Sequence, residues 1–203
     1  MANVNAAVAC IVLANVFDFF DGFAARALGV SSPIGKDLDS LADVVSFGVL
    51  PGGLLFYALN GFSYPTAITS IAPIAYLSVL VPVASALRLA KFNNDPRQGT
   101  VFYGLPTPAN SVFIAGIVLY GKSLPFYEIL LPLITILASW WLLAEIRLFS
   151  FKFGGKLDKV NPYRMALVLV AIISVISLQE LGLSITILAY VGLSLLFNIK
   201  NKK

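Results

Sequence analysis

Long hydrophobic runs follow one another along almost the whole chain, and their length constrains the fold more than any other feature. A helix needs about 20 apolar residues to cross a bilayer, and the runs recur at roughly this length. The composition agrees, because 59% of the 203 residues are hydrophobic and 12% are charged, whereas soluble domains average about 25% charged residues. Within a bilayer, backbone polar groups need internal partners, which helices supply. The sequence therefore predicts an all-α, polytopic integral-membrane helix bundle.

The bundle is predicted to contain about seven transmembrane helices within a single domain that covers residues 1–203. Glycine, proline and asparagine residues mark most of the breaks between the hydrophobic runs. The predicted spans are residues 3–25, 38–59, 66–91, 106–120, 125–148, 163–178 and 181–197.

The basic residues predict how this bundle is oriented. When the spans are threaded alternately with the 26–36 loop in the cytosol, every basic residue except Lys122 lies at or near the cytosolic side. These residues are Arg26, Lys36, Arg88, Lys91, Arg97, Arg147, Lys152, Lys156, Lys159, Arg164, Lys200, Lys202 and Lys203. Cytosolic segments of membrane proteins are enriched in Lys and Arg. We therefore attribute the net charge of +4 to topology and contact with membrane lipids rather than to nucleic acid, and expect a protein of the plasma (inner) membrane.

Two features of the composition limit the chemistry of the chain. It has no histidine, and Cys10 is its only cysteine. A His-based catalytic triad, a haem–His site and the common zinc centres are thereby excluded. A metal centre would need oxygen ligands, which favour hard cations such as Mg²⁺, Mn²⁺ and Ca²⁺.

Four aspartates at the cytosolic ends of the first two spans form the strongest candidate site. Asp18 and Asp21 are spaced i, i+3, and Asp39 and Asp43 are spaced i, i+4, so each pair lies on one side of its helix. Two antiparallel helices joined by a short loop can bring both pairs together at the membrane edge. Carboxylates within a span are costly, and four of them repel one another. Two divalent cations would balance their charges.

The residues around these aspartates resemble a known family signature. The stretch DFFDGFAARALGVSSPIGKDLDSLAD is similar to the pattern D-x2-D-G-x2-A-R-x8-G-x3-D-x3-D of the CDP-alcohol phosphatidyltransferases, with every fixed position filled. The resemblance implies a membrane enzyme that transfers a phosphatidyl-type group from a CDP-linked lipid to an alcohol.

The same resemblance implies roles for individual residues. Two ions of Mg²⁺ or Mn²⁺ would be held by the four aspartates, and Asp43 would also act as the general base on the acceptor hydroxyl. The metal ligands are then Asp18, Asp21, Asp39 and Asp43. The CDP-linked lipid would be contacted by Gly22, Arg26 and Ser32, since a glycine gives a bulky ligand room and an arginine can bind a phosphate through two donors.

Three segments beyond the signature narrow the expected acceptor. Residues 46–52 (SFGVLPG), 88–93 (RLAKFN) and 104–109 (GLPTPA) look like those of the membrane phosphatidylserine synthases within this family. This resemblance implies transfer of a phosphatidyl group from CDP-diacylglycerol to L-serine, with release of CMP. The alternative is a phosphatidylglycerophosphate or phosphatidylinositol-phosphate synthase. A cation transporter is a remote alternative, because intramembrane aspartates also mark ion pathways.

An amino-acid acceptor needs an anion-binding group near the aspartates. Arg88 and Lys91 lie one turn apart at the cytosolic end of the third span, and Asn93 follows them. We take these three as the candidate acceptor-binding residues and assign Arg88 to the serine carboxylate. In the alternative interpretation, Arg88 and Lys91 are boundary residues that extend to phospholipid headgroups.

The chain departs from the family in one respect. Such synthases usually carry a further span before the signature helix, and that span helps to hold the nucleotide. Here the signature begins already at Asp18, so we expect that this N-terminal helix of the family is missing. The resemblance also implies a homodimer.

Overall fold

The computed structural model describes residues 4–30, 32–62, 73–95, 101–149 and 161–200 of the chain. These residues form eight α-helices and one short pair of strands. The helices are α1 (Val4–Leu28), α2 (Pro33–Asp43), α3 (Leu50–Asn60), α4 (Leu80–Asn94), α5 (Thr107–Tyr120), α6 (Tyr127–Leu143), α7 (Asn161–Leu178) and α8 (Glu180–Lys200). The strands are β1 (Val101–Tyr103) and β2 (Arg147–Phe149), which pair antiparallel.

Some of the helical segments are not α-helical throughout. A π-helical segment, Val44–Val49, joins α2 to α3 without a break, and a 3₁₀ segment, Ile74–Val79, leads directly into α4. Pro51 gives a reason for the π segment, because proline lacks an N–H group and its ring crowds the carbonyl four residues earlier. The wider π turn accommodates that crowding. Such turns are frequent at functional sites, and this one begins directly after Asp43.

Apolar helices of spanning length confirm the predicted membrane bundle. Among the described residues, four segments are long and apolar enough to cross a bilayer: Val4–Leu28, Pro33–Asn60, Ile74–Asn94 and Glu180–Lys200. The three shorter apolar helices α5, α6 and α7 correspond to the remaining predicted spans. Large apolar side chains such as Phe17 and Phe20 are exposed, as expected where lipid surrounds a protein. The chain is an all-α integral membrane protein.

Two predicted span ends are wrong. The second span begins at Pro33 rather than at residue 38, because Ser32 caps the helix and Pro33 occupies its first turn. The fifth span, predicted to reach residue 148, ends at Leu143, and residues 147–149 form β2 instead. Pairing with β1 satisfies backbone groups that the apolar pattern had assigned to a helix.

Other parts of the prediction are not tested by the structure. The single domain over residues 1–203, the missing N-terminal helix and the homodimer stay predictions. The start of the third predicted span, residues 66–72, lies outside the described residues. So do several basic residues of the topology prediction: Arg97, Lys152, Lys156, Lys159, Lys202 and Lys203.

α4 runs antiparallel along the span that α2, the π segment and α3 form together. Within the π segment, Gly48 lies so close to α4 that any side chain at this position would contact Ser85. Closer to the start of α2, Asn93 Nδ2 donates a hydrogen bond to Ser40 Oγ over 2.8 Å. Contacts through small residues let membrane helices approach closely. The result is that the last turns of α4 lie beside the helix that carries Asp39.

α5 is the central helix of the bundle and contacts α1, α3, the π segment, α4, α6 and α8. Toward α8, Gly116 leaves room for Ser184, whose hydroxyl donates to the Phe113 carbonyl over 2.8 Å. Toward α1, Asn15 Nδ2 donates to Ser111 Oγ over 3.3 Å. α5 thus joins the signature helix to the C-terminal part of the bundle.

Candidate active site

A tight turn places the end of α1 beside the start of α2. Gly29 has a positive φ of 63°, and the Val30 N–H donates to the Ala25 carbonyl over 3.1 Å, which is the pattern of a Schellman C-cap. Ser32 then caps α2, because its Oγ accepts a hydrogen bond from the Gly35 N–H over 3.0 Å. A side chain at Gly35 would crowd this oxygen at 2.9 Å. The two caps fix both helix ends, and with them the carboxylates that the helices carry.

Three of the four predicted carboxylates meet at this edge. Asp18, Asp21 and Asp39 each offer one oxygen, and these oxygens all lie within 4.8 Å of one another. Ligand oxygens at about 2.0–2.6 Å from a hard cation are at most about 5 Å apart. The observed spacing therefore fits a divalent cation, which would also relieve the repulsion among the three carboxylates.

Asp43 stands beside this cluster, one turn after Asp39 and at the start of the π segment. It interacts electrostatically with Asp18 and Asp39, which carry the same charge, and with Arg88, which carries the opposite charge. Among the described carboxylates, it is outside the group whose oxygens lie within 4.8 Å. The four predicted aspartates thus share one electrostatic network, with Asp43 on the side of α4.

Gly22 and Arg26 form a notch next to Asp21. The Arg26 side chain folds back over the glycine, since a Cβ at Gly22 would lie 3.4 Å from a guanidinium nitrogen of Arg26. Arg26 is exposed. A guanidinium in such a position can bind a phosphate through two parallel N–H donors.

An open cavity of about 650 Å³ lies between the ends of α1 and α2. Its walls include apolar residues, two of the four predicted carboxylates, and the serine of the predicted site. The lining residues are Asp21, Gly22, Ala25, Val30, Ser32, Gly35, Lys36, Leu38, Asp39 and Ala42. Ser32 Oγ accepts the capping bond, and its hydroxyl hydrogen can still donate to a ligand. The mixed walls suit an amphiphilic ligand that carries phosphate groups.

Arg88 lies inside the bundle on the other side of Asp43. Its exposed fraction is 7%, and its guanidinium carbon lies 4.9 Å from the centre of the Phe92 ring. Its Nε has no hydrogen-bond partner among the described residues. A buried guanidinium that interacts with one carboxylate and keeps an unused donor can bind a second anion. This position favours an acceptor role over contact with lipid headgroups, and the role itself stays a prediction.

The two other candidate acceptor residues are placed differently. Lys91 is exposed. Asn93 joins α4 to α2, because its Nδ2 donates to Ser40 Oγ over 2.8 Å and its carbonyl accepts from Lys36 Nζ over 3.0 Å. These bonds give Asn93 a structural part in the site, and contact of either residue with an acceptor stays a prediction.

Sequence reasoning assigned no individual role to four polar residues that are buried near this site, although Thr107 lies within the segment 104–109 that narrowed the acceptor. Ser85, Thr107 and Asn110 are each 0% exposed, and Tyr190 of α8, exposed by 4%, interacts electrostatically with Arg88. The sequence contains a pattern that could have identified Ser85, Thr107 and Asn110. Each belongs to a pair of polar residues spaced i, i+3 within an apolar helix, Ser85 with Arg88 and Thr107 with Asn110. Tyr190 gave none, because a single tyrosine in a membrane span is common near the interface.

Comparisons with known proteins agree with this geometry. Residues 1–146 match the family model described as CDP-alcohol phosphatidyltransferase. A CDP-diacylglycerol–serine O-phosphatidyltransferase of Bacillus subtilis (strain 168) is 35% identical over 151 residues, which are 74% of this chain and 78% of the relative.

Two archaeal relatives are similar over a shorter stretch. A CDP-diacylglycerol–serine O-phosphatidyltransferase of Methanocaldococcus jannaschii is 40% identical over 106 residues, 52% of this chain and 47% of the relative. An archaetidylserine synthase of Methanothermobacter thermautotrophicus is 37% identical over 121 residues, 59% of this chain and 48% of the relative. The chain thus spans most of the bacterial relative and about half of each archaeal one.

Proposed function

This chain belongs to the CDP-alcohol phosphatidyltransferase family, and we propose that it transfers a phosphatidyl group from CDP-diacylglycerol to the hydroxyl of L-serine, with release of CMP. The observation that carries the proposal is that the carboxylate cluster and the buried Arg88 adjoin each other at Asp43. A proton acceptor and an anion-binding group then stand side by side, next to a cluster suited to cations. The names of the relatives, two of which specify serine transfer, support the choice of acceptor.

The metal-binding part of the proposal concerns the cluster at the edge of α1 and α2. Asp18, Asp21 and Asp39 would hold a divalent cation, and by resemblance to the family Asp43 would complete the site of a second one. By resemblance to the family the ions would be Mg²⁺ or Mn²⁺, and carboxylate oxygens suit such hard cations. When bound, they neutralise the pyrophosphate and polarise the phosphoryl group that is attacked.

We assign the CDP-linked donor to the cavity between α1 and α2. Arg26 binds the pyrophosphate, Gly22 gives the phosphates room beside the helix, and Ser32 donates its hydroxyl hydrogen to them. The open apolar wall, which includes Leu38, continues toward the region where lipid chains lie. A donor with a charged head and two acyl chains matches this arrangement.

In the transfer step, the serine oxygen attacks the phosphorus that carries the diacylglycerol. A bond forms between that oxygen and phosphorus, and the bond from phosphorus to the bridging pyrophosphate oxygen breaks. The electron pair of the broken bond leaves with CMP, and Asp43 accepts the hydroxyl proton. Asp43 lies beside the three-carboxylate cluster rather than within it, on the side of Arg88. Because a carboxylate that binds a cation is a weaker base, we assign its metal-binding role and its base role to different stages of the reaction.

Arg88 is assigned to the carboxylate of serine, and Lys91 and Asn93 remain secondary candidates. Within α4 and α5, which the structure describes in full, Arg88 is the only buried basic residue. One guanidinium suits a single carboxylate. A phosphorylated alcohol brings up to about two negative charges, and it would need more buried cations than these two helices supply.

We further propose that the active site faces the cytoplasm in the plasma (inner) membrane. Arg26 and Lys36 lie at the same edge as the carboxylate cluster, and Lys36 reaches the last turn of α4. An edge rich in basic residues is the cytosolic one under the positive-inside rule. The carboxylates gather at this edge instead of following a path across the bundle, so the cation-transporter alternative has no support.

A transfer assay tests the proposal. Purified protein in lipid nanodiscs would receive CDP-diacylglycerol, Mg²⁺ or Mn²⁺, and one labelled acceptor at a time: L-serine, glycerol 3-phosphate or inositol phosphate. Mass spectrometry of the lipid product is expected to find phosphatidylserine only. Transfer to a phosphorylated acceptor without transfer to serine would contradict the proposal. CDP-archaeol, offered in a parallel reaction, tests the donor that the archaetidylserine synthase relative suggests.

A further inference from the structure

We propose that Thr107 and Asn110 of α5, together with Ser85 and Arg88 of α4, form the pocket that binds the amino-acid part of the acceptor. The inference rests on the proposed function and assigns it a binding site. The ligand class is a small zwitterion with a free carboxylate and a free ammonium group.

These four side chains carry unused hydrogen-bonding atoms in the bundle interior. Ser85 Oγ, Arg88 Nε, Thr107 Oγ1 and Asn110 Nδ2 have no hydrogen-bond partner within the described part of the chain. Native proteins bury few such atoms without giving them a function or a ligand. In each helix the two residues are spaced i, i+3 and share one face. Unused polar atoms that occur as two pairs on adjacent helices indicate a binding pocket.

The Asn110 amide has a fixed orientation. Trp141 Nε1 donates to Asn110 Oδ1 over 2.8 Å. An indole N–H can only donate, so the amide oxygen must face Trp141. The NH₂ group of Asn110 is therefore left for another acceptor.

Arg88 and Ser85, the two α4 residues of the pocket, lie at different depths. Arg88 is at the level of Asp43, and Ser85 is one turn further into the bundle. Arg88 interacts electrostatically with Asp43. One turn earlier, Ser85 packs against the π segment, since a Cβ at Gly48 would lie 3.3 Å from Ser85 Oγ. The pair therefore follows the wall that begins at the proposed base.

Thr107, the first of the two α5 residues of the pocket, lies at the same depth in the bundle as Asp18. α5 runs antiparallel to α1, because Val118 and the start of α1 line one cavity while Asn15 bonds to Ser111 in the middle of both helices. At 1.5 Å per residue, Asp18 lies about 4.5 Å beyond Asn15, and Thr107 lies about 6 Å from Ser111 in the same direction. Thr107 is therefore at the depth of the carboxylate cluster.

The two pairs border one region, since α4 and α5 contact each other and both contact the π segment. Arg88 Nε and the Asn110 NH₂ group are donors for a carboxylate, and the hydroxyls of Ser85 and Thr107 can accept from an ammonium. The charges of Arg88 and Asp43 offset each other. A ligand with zero net charge can be buried there at a lower electrostatic cost than a dianion.

Substitutions that keep the shape of the pocket test this inference. Thr107→Val removes the hydroxyl, Thr107→Ser keeps it, and Thr135→Val is the matched control, because Thr135 is equally buried and its hydroxyl donates to the carbonyl of Leu131. Asn110→Asp keeps an oxygen for Trp141 and removes the NH₂ donors. The full chain in nanodiscs would be assayed for the KM of serine and of CDP-diacylglycerol, with thermal melting as a check on folding.

The expected result is a rise of about tenfold or more in the serine KM for Thr107→Val and Asn110→Asp. The donor KM should stay within about twofold, and Thr135→Val should stay near the wild type. Thr107→Ser, which keeps the hydroxyl, should raise the serine KM less than Thr107→Val does. The preference for serine over serinol, which lacks the carboxylate, should fall in Asn110→Asp.

Three outcomes would overturn the inference, and they are distinguishable. If the wild type transfers to serine and both variants keep its serine KM, the inference alone fails. If Thr135→Val raises the serine KM as much as Thr107→Val does, loss of a buried hydroxyl acts through packing and Thr107 is not part of a pocket. If the wild type uses a phosphorylated acceptor instead of serine, the proposed function fails and the amino-acid pocket fails with it.

Discussion

The two sides of the aspartate cluster differ in exposure. On the donor side, between α1 and α2, Asp21 and Ser32 are exposed and border an open cavity, and Arg26 at the end of α1 is exposed as well. On the acceptor side, between α4 and α5, Arg88 is 7% exposed and Thr107 is 0% exposed. Asp43 lies where the two sides meet.

This difference corresponds to the sizes of the two proposed substrates. A CDP-linked lipid is large and anionic and keeps its chains in the bilayer, so its site must open sideways and place cations at the surface. An amino acid is small enough to be enclosed, and enclosure strengthens each hydrogen bond that the pocket makes with it. One site can therefore exclude water from the attacking hydroxyl while the lipid enters from the membrane.

Removal of divalent cations should lower the transfer activity more than any substitution, because without them the donor side cannot bind and polarise the pyrophosphate of the CDP-linked lipid. After treatment with a chelator, we expect no detectable transfer to any acceptor, and return of activity on addition of Mn²⁺ or Mg²⁺. Labelled-serine incorporation measures both. Full activity of the metal-free protein would contradict the proposed role of the carboxylates.

The second-largest effect is expected for Asp39→Asn, which should lower kcat by more than about 100-fold with every acceptor. Loss of a residue that only orients a metal ligand already lowers metal affinity or activity by about 10–100-fold, and Asp39 is proposed to be a ligand itself. Asp37→Asn is the matched control, since Asp37 lies on the same exposed turn and at a variable position of the signature. The variant should also lose the rise in melting temperature that Mn²⁺ gives the wild type. Equal activity of the Asp39 and Asp37 variants would refute the metal site.

Gly22→Ala should have a moderate effect on the donor side only. The added methyl group would contact Arg26 and occupy the space of the phosphates, so the KM of CDP-diacylglycerol should rise about tenfold, as for one lost charge-assisted hydrogen bond. Gly53→Ala is the control, because a Cβ there meets nothing within 4 Å. If the serine KM rose instead, the assignment of the two sides would be reversed.

Ser32→Ala should have the smallest effect, on the stability of the protein and, through the lost hydroxyl donor, a rise of about two- to threefold in the KM of CDP-diacylglycerol. The loss of the N-cap of α2 should destabilise the protein by about 1 kcal/mol, measured as a lower unfolding midpoint. Ser32→Thr retains a capping oxygen and should unfold close to the wild type. An unchanged midpoint for Ser32→Ala would mean that the hairpin does not depend on this cap.

The donor side could be predicted from the sequence because its geometry is local. The i, i+3 spacing of Asp18 and Asp21, and the short connection to Asp39, bring the carboxylates together through two helices and one turn. The capping bond from Gly35 to Ser32 is likewise local. Such relations follow from helix periodicity, and the structure confirms that these three carboxylates cluster.

The acceptor side could be predicted only in part, because it depends on contacts between distant helices. Arg88 was recognisable as a basic residue near the end of a span, but the burial of Thr107 and Asn110 arises from the packing of α5 among helices that are distant from it in the sequence. The interaction of Tyr190 with Arg88 joins residues a hundred positions apart. Periodicity describes one helix at a time and does not predict which faces meet.

The most direct test of the account compares Arg26→Ala with Arg88→Ala in one kinetic experiment. Both variants lose an arginine, one from the exposed side and one from the buried side. The KM of CDP-diacylglycerol and the KM of serine would be measured for each, with wild-type protein alongside. We expect Arg26→Ala to raise the donor KM about tenfold or more and leave the serine KM nearly unchanged, and Arg88→Ala to do the reverse. Equal effects of each variant on both constants, or an unchanged serine KM in Arg88→Ala, would contradict the division of the site into a donor side and an acceptor side.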